Sequence, residues 1–199
     1  MKNLTKILIL SLAVFTLAGC SKKFFEAKEF KVLKRKHQTI AVLPAMIDMA
    51  GKSKQSAESS LKNVSMEKSY DFQEALIKDL QSEQDNYSVS ILPKDETNQK
   101  LEENYIKFFD LKRTEVSKIG DALRVDGLLY TEIESSIILG KNPGSDSKEE
   151  VHVKVTLKEA NNERVMWSYE DDYKAKNTYT IEAIEGEIFK KIKGKFPYK

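Results

Sequence analysis

Apolar residues recur along this chain with two distinct periods. Thr39-Ile40-Ala41-Val42-Leu43 is a short apolar run stopped by Pro44, the pattern of a buried strand. Tyr87–Leu92 alternates and is closed by Pro93. Leu128–Ile133 follows an Asp126-Gly127 turn, with Ile137–Leu139 extending it past a bend at Ser135-Ser136. Val151, Val153, Val155 and Leu157 alternate with His152, Lys154 and Thr156. Asn161-Asn162 then turns the chain into a strand alternating at Val165, Trp167 and Tyr169. Helical spacing joins Phe72, Leu76, Ile77 and Leu80 behind a Ser69 cap. It recurs at Leu101, Tyr105, Phe108 and Phe109 within Thr97–Lys112, at Val116, Ile119 and Leu123 behind Thr114, and at Ile181, Ile184, Ile188 and Ile192. Asp48–Ser65, rich in Ser and Lys, reads as a long loop, and Asn142-Pro143-Gly144 as a turn. This order predicts an α/β fold: a mixed β-sheet with a βαβα start, an antiparallel meander and a C-terminal helix packed on the sheet.

The N-terminus follows a different rule. Lys2 and Lys6 precede an apolar stretch, Ile7–Leu17, that is too short to span a bilayer and the right size for a signal-peptide core. It ends in Leu17-Ala18-Gly19-Cys20, which resembles the bacterial lipobox. The resemblance implies that residues 1–19 are removed and that Cys20, joined to diacylglycerol through its thiol, becomes the first residue of the mature chain. Two or more acyl chains anchor stably where one does not. Ser21, and no Asp, follows the Cys, which by resemblance to enterobacterial sorting favours a periplasm-facing position on the outer membrane.

Residues 20–37 read as a lipidated basic tether, with Lys22, Lys23, Lys28, Lys31, Lys34, Arg35 and Lys36 against Glu26 and Glu29. Two roles stand open for it, a solvated spacer or a contact with anionic headgroups. Residues 38–199 read as a single α/β domain. The length of 199 residues, with 40% apolar and 32% charged, fits that division. Charge narrows the partners: with Lys2 and Lys6 gone, 31 basic residues face 31 acidic ones, so nothing points to nucleic acid.

Candidate chemistry is sparse. Neither GxxxxGK[ST], GxGxxG nor GxSxG occurs. One Cys excludes an intramolecular disulfide and a zinc site built on several thiolates. His37 in the basic segment and His152 on a strand's outer face read as surface residues. Glu149-Glu150 and Asp171-Asp172 read as solvated pairs whose members point to opposite faces. No metal, cofactor or catalytic residue is expected. For partner contact the candidates are Met46, Ile47 and Met49 at the base of the long loop. Trp167 and Tyr169 read either as core or as an aromatic patch.

Ile40-Ala41-Val42-Leu43-Pro44 opening the domain resembles the curli-secretion (CsgG-type) lipoproteins. So do Ile119-Gly120-Asp121-Ala122-Leu123 running into Val125-Asp126-Gly127-Leu128-Leu129-Tyr130, the late Val165-Met166-Trp167-Ser168, and Phe196-Pro197 after the last helix. The same layout is similar to the amino-terminal domain of TolB and to lipoprotein activators of peptidoglycan synthases. The resemblance implies a non-enzymatic envelope-assembly or interaction module whose partner is an envelope protein or a further copy of itself. The alternative it carries is a ring-forming component of an outer-membrane export complex. Against a pore, Gly51–Ser65 offers only Ala57, Leu61 and Val64 as apolar positions, too few for lipid-facing strands.

Overall fold

A computed structural model describes residues 24–50, 58–138, 148–175 and 181–199; Leu17, Ala18, Gly19 and Cys20 lie outside them. The elements in chain order are β1 (Phe24–Glu26), α1 (Phe30–Leu33), β2 (Thr39–Val42), β3 (Met46–Ala50), α2 (Glu58–Gln81), β4 (Ser90–Ile91), α3 (Lys94–Glu103), α4 (Val116–Leu123), β5 (Gly127–Ile138), β6 (Lys148–Glu159), β7 (Val165–Ala175) and α5 (Ile181–Lys195). They build the expected mixed sheet, ordered β1-β7-β6-β5-β2-β4, with β3 also on β5. β2 and β3 run parallel to β5 one after the other, pairing Ile40 with Gly127 and Ala50 with Ser136. The break between them falls at Leu43-Pro44-Ala45, since Pro44 has no N–H to give the ladder. β5, β6, β7 and β1 are antiparallel neighbours.

Side-chain alternation divides the core. On one face Val151, Val153, Val155 and Leu157 join Trp167, Phe72, Ile188 and Ile192 beneath α2 and α5. On the other, Ala41, Leu43, Leu128 and Tyr130 pack against Leu101, Ile119 and Leu123 of α3 and α4. α4 comes down so closely that a Cβ at Gly120 would stand 2.6 Å from the Ala160 carbonyl oxygen, which only glycine tolerates.

Several expectations are corrected. The expected long loop is shortened at both ends: Asp48–Ala50 complete β3, and Glu58–Ser65 belong to α2, so Ser69 is buried inside that helix rather than capping it. Among the side chains described, the core residues of α2 begin at Phe72, where apolar periodicity is also read, although the helix begins earlier. Since Glu58–Ser65 is helical, that segment supplies no membrane-spanning hairpin. Thr97–Lys112 is not one helix: α3 runs Lys94–Glu103 and then reverses. β5 passes straight through Ser135-Ser136.

Finally, much of the supposed tether is folded. Phe24–Glu26 pairs with β7, while Phe30 is fully buried against Tyr198, their rings 5.4 Å apart. One large apolar residue can seat a lysine-rich turn because the lysine heads stay in water. His37 is buried with it, contrary to its surface reading. β7 also runs on to Ala175, carrying Asp171 inward as a buried carboxylate rather than a solvated one.

Candidate functional site

The groove that stands out is built at the end of α3. That helix closes with a Schellman-type turn: Ile106 N–H donates to Leu101 O at 2.9 Å and Tyr105 N–H to Glu102 O at 2.9 Å. Asn104 caps it further by donating through Nδ2 to Lys100 O at 2.8 Å. The residue after the cap must then take the left-handed conformation, a place usually filled by glycine. Here it is Tyr105, with φ of 57° and its ring 89% exposed. A bulky side chain held there costs about 1–2 kcal/mol, and nothing in the core gains by it.

The chain continues through a 3-10 turn, Phe108–Asp110, that lays Phe108 against Tyr70 of α2 at 5.9 Å and edge-on to Phe109 at 5.1 Å. Phe109 is left 55% exposed. Together α2, α3 and this turn form an open groove of ≈ 860 Å³, floored by Leu101, Ile106 and Leu111. Asp95, Glu102 and Lys107 stand among its polar lining residues. Its walls are fixed. Gln73 Nε2 donates to Val42 O at 2.8 Å, and the Gln73 and Asn98 amides bond each other reciprocally at 3.0 and 3.2 Å. Lys94 and Lys78 both bridge to Glu74 at 2.6 Å, holding that carboxyl down to about 2. The Tyr70 hydroxyl is pushed above its ordinary value by burial, with the Glu102 charge adding to it.

Two buried polar clusters complete the inventory. Tyr169 Oη donates to Asp171 Oδ2 at 2.7 Å and Lys191 Nζ donates to the same oxygen at 3.0 Å, latching α5 onto β7. Lys191 also pairs with Glu187 at 2.9 Å, the main reason its ammonium is held above the usual range. Under α1, His37 Nδ1 lies 2.6 Å from Tyr198 Oη. Burial, with Asp126 and Glu159 adding to it, pushes the Tyr198 hydroxyl far up, so it stays protonated and donates; His37 Nδ1 accepts as a neutral imidazole.

Burial holds the His37 pKa below 6.5, partly opposed by Asp126 and Glu159. The unfolded chain therefore takes up this proton more readily. The stability involved is complete above pH ~6.5 and is lost as pH falls through the lowered folded value. Urea midpoints are expected to drop between pH 7 and 5, and to drop less in His37→Gln, which keeps an acceptor but does not titrate. Equal drops in both proteins would refute this.

The carboxylates beside His37 and Tyr198 are held by hydrogen bonds of their own. Asp126 Oδ2 is occupied by the N–H groups of Gln38 and Thr39, at 2.7 and 3.0 Å, and Glu159 by Asn162 at 2.7 Å. Among the described residues no group of three or more His, Cys, Asp or Glu is arranged for a metal, and no helix is long and apolar enough to cross a membrane. His152 stays at the surface as read, beside Asp172 at 2.7 Å and Glu170 at 3.4 Å.

The partner-contact candidates do not form the groove. Met46 packs against the α3–α4 side of the core and Ile47 is buried in the opposite cluster, as successive strand residues must be. Met49 sits in β3 opposite Ser135. Tyr105 and Phe109 were expected on a buried helix face. Asn104, a residue suited to ending a helix, is the sequence signal that points the other way.

No family model matches the chain, and no curated protein matches it. Solved structures to which it is similar include the lipoprotein GNA1162 from Neisseria meningitidis, at 13% identity over 81% of this chain and 99% of that one, with a TM-score of 0.46. The PelC dodecamer from Paraburkholderia phytofirmans is 11% identical over 79% and 88% of the two chains, with a TM-score of 0.42. The LpoB C-terminal domain from Escherichia coli is 8% identical over 82% and 93%, with a TM-score of 0.38. Likeness at this level concerns chain layout and carries no function across.

Proposed function

We propose that this chain is a lipid-anchored, periplasm-facing interaction or assembly module of the bacterial outer membrane, which binds a protein partner rather than catalysing a reaction. The anchor rests on Leu17-Ala18-Gly19-Cys20 behind a short apolar core. The binding role rests on one observation above all: Tyr105 holds an exposed ring on left-handed backbone beside a rigid aromatic groove. Strain kept at a solvent-facing aromatic marks a residue retained for contact. Exposed Tyr and Phe over an apolar floor, ringed by polar groups, is the composition of an interface centre.

The test separates binding from folding. Tyr105→Gly relieves the backbone and is expected to stabilise the protein by about 1 kcal/mol. The same change removes a contact residue, so adducts formed by a photo-crosslinker at Phe109 in intact envelopes should fall about 30-fold, the effect of losing one hot-spot side chain. Undiminished adducts in the stabilised variant would sink the groove as the binding site.

A further inference from the structure

We infer that the turn from β1 through α1 is a docking face for an anionic lipid surface, which fixes how the domain stands on its membrane. This rests on the proposed acylation of Cys20. Phe24 opens β1 four residues after that cysteine, and an extended chain covers at most about 14 Å in four residues. The folded body thus begins within about 14 Å of the proposed anchor, and β1 is the part brought there.

The face presented has the chemistry for it. Lys28, Lys31, Val32 and Arg35 are all exposed and recur at i, i+3, i+4 and i+7 around the helical turn, opposite the buried Phe30. Val32 is 63% exposed, while Phe24 and Phe25 on the adjoining edge strand are 39% and 43% exposed. Among the described residues Lys28, Lys31 and Arg35 enter no ion pair, and the acids of the segment are only the half-buried Glu26 and exposed Glu29. Lys195 adds its ammonium 5.4 Å above the Phe24 ring. Cations beside aromatic and aliphatic side chains are what an anionic interface binds: the charges meet headgroups and the rings enter the interfacial zone. The face is rigid because Phe30 and Tyr198 pack beneath it and Lys34 Nζ donates to Pro197 O at 3.0 Å.

The experiment uses the lipidated full-length product. Cys20 is the chain's one cysteine, so once acylated it leaves an introduced thiol as the sole labelling site. Fluorophores at Val32→Cys and, as the remote reference, Tyr105→Cys are compared for access to a water-soluble quencher. The vesicles mix phosphatidylethanolamine with phosphatidylglycerol. The label at 32 should be shielded and that at 105 open. Reversing Lys28, Lys31 and Arg35 to Glu should lower occupancy of the docked orientation by at least about fivefold per charge. Protein that sediments with vesicles but is equally quenched at both positions overturns this inference alone. Protein that does not sediment overturns the anchor and this inference with it. Shielding that survives the charge reversals overturns the anionic-surface assignment.

Discussion

Trp167→Ala is expected to cost about 3–5 kcal/mol, a large part of the 5–15 kcal/mol that holds an ordinary domain together. Trp167 is fully buried at the middle of the α2–α5 side of the core, and no smaller neighbour can fill the space it leaves. The damage should also spread to one edge. Phe24 stands edge-on to Trp167 at 6.3 Å, and Glu26 pairs with it in register, so β1 loses its seat when the indole goes. Trp167→Phe should behave differently. Among the described residues the buried indole N–H has no hydrogen-bond partner, so the shorter ring loses contact area but also removes an unpaired donor. A cost below about 2 kcal/mol is expected for Phe. Chemical denaturation of both variants, with exchange protection of the β1 amides, checks the pair. Equal losses for Ala and Phe would mean that the N–H is satisfied after all.

On the proposed acylation, Cys20→Ala should release the protein from membranes. Each buried methylene of an acyl chain contributes about 0.8 kcal/mol, so two or three chains would hold the protein stably, whereas the proposed β1–α1 contact alone would hold only reversibly. Fractionation after a high-salt wash should move the protein from almost wholly membrane-bound to almost wholly soluble. The unsubstituted protein should not move. Retention of the alanine variant through the salt wash would defeat the anchor. At low salt a part of the variant is expected to remain, because the cationic turn still attracts anionic headgroups.

The meander was legible because β6 and β7 keep one face buried and one wet, and a two-residue period survives in their side chains. The early turns of α2 were not, since Glu58–Ser65 carries only Leu61 and Val64 as apolar positions among polar ones and shows no apolar stripe. The folded N-terminal turn hid for the opposite reason: the buried Phe30 stands among Lys28, Lys31, Lys34, Arg35 and Lys36, a composition that looks like a spacer. Among functional features, the lipobox is a local string and could be read directly. The groove is assembled from Tyr70, Tyr105 and Phe109, brought together by a helix reversal that periodicity counted straight through.

The joining of Phe30 and His37 to Tyr198 sets an order of events. Residues at the front of the body are completed by the last turn of the chain, and Ser88 N–H also waits there for the Tyr198 carbonyl at 3.0 Å. A chain that emerges front first therefore cannot close this contact until the residues around Tyr198 are out. On the proposed acylation of Cys20, lipid would be attached while the body is still open, and the fold would close beside the membrane afterwards.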